Sequence, residues 1–206
     1  TYSFKCGPSA ISIVDRYKYL GCILEETLNF TITANTLADA AGRAVGSIIN
    51  KSKHSNLGYS AFSKLYDACV IPIMDYSAGI WGFCNYDRPN TVQNRAIRSF
   101  LGVHRYASNV AIQGDVAWTW PVVRRKVEMI KLMKRILSMK NDRLTKKIFI
   151  WDWLHPDRTW SWQVRSILKS TGQNALSDMN PNMEEHEIDF DTVLKCVELR
   201  DRKSVV

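Results

Sequence analysis

From Ala34 onward the apolar residues recur three and four positions apart, and that period commits most of the chain to helices packed on helices. Leu37, Ala41, Ala44, Val45, Ile48 and Ile49 share one face of a first helix. Lys51, Lys53 and His54 follow at its C-terminal end, where positive charge suits the helix dipole. Ser60 is a candidate cap for a second helix with the stripe Phe62, Leu65, Tyr66, Cys69, Ile73 and Tyr76. Pro72 interrupts that stripe and predicts a kink or break near Val70. Residues 83–90 read as a loop. Asn90 or Thr91 then starts a helix with Val92, Ala96, Ile97 and Phe100 on one side, and Gly102 is placed to end it. Asn109–Gln113 reads as another short helix. Pro121 fits a first helical turn, and Val123, Val127, Ile130, Met133 and Leu137 form the stripe that follows.

Further helices are expected from Asp142 or Thr145, over 159–171, and around 190–200. Trp151, Trp153, Trp160 and Trp162 read as anchors of a small C-terminal core. Residues 172–188 carry few large apolar side chains and read as a flexible linker. Ahead of the helices, residues 2–24 read as two or three short strands with a Gly7-Pro8-Ser9 turn. Strands this few cannot stand alone, so an exposed apolar edge is expected there.

The net charge of +8 is concentrated. Residues 121–147 hold ten Lys and Arg against Glu128 and Asp142, and the remaining chain balances at 18 against 18. Arg124, Lys131 and Arg135 share a face of the helix there. A focused basic stretch attracts phosphate backbones through counterion release, whereas a solvated helix face merely keeps a chain soluble. Charge alone does not separate the two. The C-terminal part leans acidic through Glu184, Glu185, Glu187, Asp189 and Asp191.

Several kinds of chemistry are excluded by pattern. No phosphate-cradling glycine motif, GxSxG elbow or HExxH pair occurs, and the carboxylate pairs Glu25-Glu26, Glu184-Glu185 and Asp189/Asp191 lie in polar stretches. Five scattered cysteines form no CxxC pair, and the four histidines do not complete a zinc site. The expectation is reduced, mostly buried thiols, hence an intracellular protein of nucleus or cytoplasm rather than a secreted one. There is no apolar run for a membrane span, and no leader follows Thr1. The chain is expected to be a piece of a longer polypeptide. Neither catalytic nor metal-ligating residues are assigned in it. Tyr17 and Tyr19 share a strand face beside Arg16 and Lys18. Spacing alone favours tyrosines that pack a sheet on a helix over rings that stack on bases.

Three segments carry a resemblance. Tyr17-Lys18-Tyr19-Leu20-Gly21 resembles the YKYLG signature of reverse transcriptases from non-LTR (LINE-type, jockey- and CR1-like) retrotransposons. Leu65 to Tyr76, with Trp81 beyond, is similar to that family's LYxALVxPxLxYG…W segment, with Ser77 in place of its glycine. Val92-Gln93-Asn94-Arg95-Ala96-Ile97-Arg98, ending in Phe100-Leu101-Gly102, resembles its QNRAxR segment.

The resemblance implies a mainly α fold: a helical, thumb-like bundle with a small N-terminal β-hairpin. Residues 1–25 would end the palm as a primer-grip hairpin, and 26–115 would form the thumb. Residues 116–171 would add the basic helix and Trp-rich helices, and 172–206 an acidic linker and last helix. The implied partners are an RNA–DNA or RNA duplex and the upstream palm and fingers of the same polypeptide, with no membrane. The implied grip residues are Tyr17, Lys18, Tyr19 and Gly21. For backbone contacts the candidates are Arg95, Arg98, Arg124, Arg125, Lys131, Lys134 and Arg135, with Lys51 and Lys53 beside them. The polymerase's Y/F-x-D-D turn is not in this sequence, so Mg²⁺ would be held by the full-length polymerase and the chain alone would not polymerise. The alternative is a non-enzymatic helical interaction module from a decayed retroelement, whose basic helix binds an acidic partner such as its own C-terminal segment.

Overall fold

The computed structural model describes residues 4–55, 57–181 and 188–204, with side chains described as far as residue 199. Two antiparallel hairpins open the chain as separate two-stranded sheets. β1 (Phe4–Cys6) pairs with β2 (Ser9–Ile11), and β3 (Arg16–Tyr19) pairs with β4 (Cys22–Glu25). The second turn is Leu20-Gly21, both at positive φ, as a two-residue type I′ hairpin requires. β4 alone is drawn into the body. Ile23 N–H donates to Thr33 Oγ1 at 2.9 Å, and that hydroxyl donates back to the Ile23 carbonyl at 2.8 Å. Cys22 is buried with Phe30, Ala34, Ala78 and Trp81. Phe4, Ile11, Ile13 and Val14 stay exposed, the apolar edge expected of strands with no larger sheet.

The rest is helical. α1 (Thr31–Ser55), α2 (Tyr59–Cys69), α3 (Ile71–Met74) and α4 (Ala78–Trp81) are followed by α5 (Asp87–Leu101) and α6 (Asn109–Val116). Then come α7 (Pro121–Leu137), α8 (Leu144–Leu154), α9 (Trp160–Ser170), α10 (Asn174–Ser177) and α11 (Phe190–Ser204). The break falls where Pro72 predicts it, with Val70 joining α2 to α3. Gly102 ends α5 at φ 65°, and Val103 N–H reaches back to the Arg98 carbonyl. α5 starts inside the expected loop, because Pro89 sits in a first turn that does not need its N–H. Ser60 is not a cap; it lies within α2, and Gly58 precedes that helix.

Two main cores share the molecule. In one, Ala38, Ala41, Val45 and Ile48 of α1 pack on Phe62, Tyr66, Val70 and Met74, and on Val92 and Ala96 of α5. In the other, Met129, Ile130, Met133 and Leu137 of α7 meet Phe149, Trp153, Val164, Leu168, Phe190 and Val197. Each large side chain so buried contributes about 1.5–3 kcal/mol. α7 also lies against α4, which glycines allow to come close. A Cβ on Gly82 would stand 2.5 Å from the Ala78 carbonyl and 2.8 Å from Arg125 Cβ. From the second core, Trp160 Nε1–H donates to the Gly79 carbonyl at 2.8 Å and ties the two halves together.

Three expectations change. The linker over 172–188 is packed where it is described: Leu176 and Met179 are buried, and Trp153 Nε1–H donates to the Met179 carbonyl. Glu184, Glu185 and Glu187 lie outside the described residues. Of the tryptophans, Trp153 is core and Trp160 is half-buried, but Trp151 is 62% exposed and Trp162 is also open. All five cysteines are free, yet only Cys22 is buried. Among the described residues no helix is long and apolar enough to cross a membrane.

Candidate nucleic-acid interface

The segments that carry the family resemblance meet in space. The ring of Tyr76 covers Gly21 so closely that a Cβ there would lie 3.3 Å from Tyr76 Cε1. Tyr66 Oη donates to Gln93 Oε1 at 3.2 Å, and Gln93 Nε2 donates to the Thr119 carbonyl and Gln113 Oε1. Gln113 Nε2 donates to Asn94 Oδ1. Arg124 completes the network: its Nε donates to Asp75 Oδ2 at 2.8 Å, and its Nη1 donates to Gln93 Oε1 and the Thr119 carbonyl at 2.7 Å. Motif residues Tyr66, Asp75, Gln93 and Asn94 therefore build a buried polar framework. Burial pushes the Tyr66 phenol above its ordinary range, against the opposing pull of Arg124.

That framework removes several predicted contacts from the surface. Arg125 has a fully buried side chain, enclosed by the rings of Trp81 and Tyr86 and 3.8 Å from Asp75 Oδ1. Burial pushes its guanidinium down to about 10, and Asp75 resists the shift. Arg124 is 15% exposed and spent on Asp75 and Gln93. Neither is placed to contact a phosphate. Arg98 is also turned inward, donating to the Ala107 carbonyl at 2.8 Å and to Asn109. Lys131 pairs with Glu128 at 2.7 Å, and Lys134 lies over the ring of Phe190. Of the α7 candidates, Lys131 remains exposed beside Glu128, and Arg135 is exposed. It lines a concavity of about 250 Å³ with Lys131, but Asp75 and Glu128 share that lining. The physical reason is that α7 is a core helix with apolar residues on several sides, so Arg124 and Arg125 fold onto internal partners while Lys131 pairs with Glu128 at the surface.

At the hairpin, Tyr17, Lys18 and Tyr19 are exposed as a grip requires. Tyr17 pairs with Leu24 and Tyr19 with Cys22, so the tyrosines share the sheet face that docks on the body, yet both stay exposed. Gly21 serves the turn and the Tyr76 contact rather than a ligand.

A different concavity holds exposed arginines. α1 and α5 run side by side, with Asp39 beside Arg88, Gly42 beside Val92 and Gly46 beside Arg95. The partners advance together in sequence, so the helices are parallel. Between them lies a groove of about 450 Å³ lined by Gly42, Arg43, Gly46, Arg88, Thr91 and Arg95, among others. Arg88 is held by Asp39, with Nε to Oδ1 at 2.8 Å. Arg43 and Arg95 are exposed and have no carboxylate partner among the described residues. α1 continues past the groove to exposed Lys51 and Lys53. Arg43 and Arg88 were not among the sequence candidates. The signal that points to them is the Gly42/Gly46 pair one turn apart on a helix, which opens a groove on that face. Among the described residues no group of three or more His, Cys, Asp or Glu side chains assembles.

Comparisons with family models, with curated proteins and with solved structures returned no match for this chain.

Proposed function

We propose that this chain is the primer-grip and thumb portion of a LINE-type reverse transcriptase, and that it holds a template–primer duplex for an active site elsewhere in the polypeptide. The observation that carries the reading is the convergence of the three resembling segments. Tyr76 against Gly21, and Tyr66 and Asp75 bonded to Gln93 and Arg124, give each motif residue a physical task in one framework. Beside that framework, Tyr17, Lys18 and Tyr19 and the exposed lysines and arginines of α1 and α5 offer backbone contacts that need no base sequence. On this reading the Mg²⁺-binding aspartates belong to the palm, and this chain supplies orientation alone.

The test is a fluorescence-anisotropy titration of the chain with an RNA–DNA hybrid over a salt series. The expected result is a dissociation constant near about 10⁻⁴–10⁻⁶ M at physiological salt, tightening steeply at low salt and indifferent to sequence. A second reading, the helical interaction module, draws on the internal use of Arg124 and Arg125 and on Glu198 of α11 lining a concavity with Lys131 and Arg124. Absence of hybrid binding at low salt selects it.

A further inference from the structure

We infer that the groove between α1 and α5 is a seat for the sugar–phosphate backbone of one nucleic-acid strand. This deepens the proposed function and rests on it. Three guanidinium groups face one carboxylate across the groove, and that carboxylate is already engaged with Arg88. Arg88 and Arg95 stand two turns apart on α5, about 10 Å along the axis. Arg43 projects from the facing helix. A strand lying in the groove therefore meets cations from both walls. The floor matters as much as the walls. Gly42 and Gly46 carry no side chain, and a Cβ at either would stand 3.7 Å from Val92 Cγ2 or 3.8 Å from Arg95 Nη2. Without those carbons a phosphate can approach the helix surface between the arginines.

Neighbouring surfaces are less suited to a polyanion. The concavities along α7 are lined by Asp75, Glu128 and Glu198 as well as by Lys131. Among the described residues no aromatic ring lines the α1–α5 groove, so it offers charge and hydrogen bonds rather than base stacking. Arg43 and Arg95, which have no carboxylate partner among the described residues, supply the net charge. Arg88 is pre-positioned by Asp39 and supplies a fixed fork.

The test compares Arg43→Gln/Arg95→Gln with a control that loses the same charge away from the groove, Lys140→Gln/Lys147→Gln. Both sets of residues are exposed, and far-UV circular dichroism and thermal melts verify folding. Binding of an RNA–DNA hybrid is read over a salt series. In the groove variant, the slope of log K against log salt falls by about 0.9 for each phosphate contact removed, and low-salt affinity drops about tenfold or more. The control keeps its slope and most of its affinity. Gly46→Glu, which sets a carboxylate on the groove floor beside Arg95 without substituting an arginine, weakens binding as the double variant does. An unchanged slope in the groove variant, or equal losses in groove and control variants, overturns the assignment and leaves the proposed function standing. Failure of the unmodified chain to bind hybrid at low salt overturns both. Displacement of the hybrid by polyglutamate at a charge concentration about tenfold below that at which unlabelled hybrid competes identifies an acidic polypeptide as the occupant and also overturns it.

Discussion

Replacing Asp75 by alanine strikes the point on which the two halves of the polar framework depend. Its carboxylate is 5% exposed, accepts from Arg124 Nε at 2.8 Å and stands 3.8 Å from Arg125 Nη1. The partners suffer unequally. Arg124 keeps Gln93 and the Thr119 carbonyl and retains some access to water. Arg125 has none: its remaining polar contact is a long 3.5 Å bond to the Cys84 carbonyl, beneath the rings of Trp81 and Tyr86. Leaving one buried charge unpaired costs about 3–5 kcal/mol. Against a typical total of about 5–15 kcal/mol, that is a large share of the stability. The melting temperature should fall by roughly 6–20 °C for a chain of this size. Urea unfolding followed by far-UV circular dichroism measures the loss. The decisive comparison is a double-mutant cycle with Arg125→Met. The double variant should recover part of the stability lost in Asp75→Ala, with a coupling energy of about 1–3 kcal/mol. A loss below about 1 kcal/mol in Asp75→Ala, or strict additivity in the cycle, would refute the view that Asp75 is the counter-ion of Arg125.

Gly82→Ala forces a methyl group into the Ala78 and Arg125 backbone oxygens and should cost about 1–3 kcal/mol or more in urea unfolding, whereas Gly42→Ala meets only Val92 at ordinary distance and should stabilise α1 by about 0.5–1 kcal/mol. Alkaline pH should also destabilise the fold. Burial raises the phenols of Tyr66 and Tyr86 above their ordinary value, so the folded chain keeps protons that the unfolded chain releases near pH 10, and stability falls as pH climbs past that point. Arg125 acts in the opposite sense, since burial depresses its folded value to about 10 and its burial penalty is relieved above that pH. Two tyrosines outweigh one arginine, and urea midpoints that rise rather than fall above pH 10, or phenolate absorbance complete before unfolding, would count against this assignment.

The sequence determined most of the helical stretches and several of their ends. Period and punctuation are local properties: the stripe from Leu37 to Ile49, the break at Pro72 and the cap at Gly102 all depend on residues within a turn or two. The mainly α class follows from the same local rules, but they predict one small hairpin of two or three strands where the structure has four strands in two hairpins. What charge does is not local. Ten cations in 27 residues read as a surface, but a guanidinium on α7 faces whatever the fold packs there. Asp75 lies 49 positions from Arg124 in the chain, so no window of sequence shows them meeting. The same is true of the groove, because Arg43 and Arg95 become neighbours only when α1 and α5 lie side by side over Gly42 and Gly46. Tertiary packing therefore decided which basic residues face water and which are locked inside, because desolvating a charge is tolerable only where distant residues supply its partner.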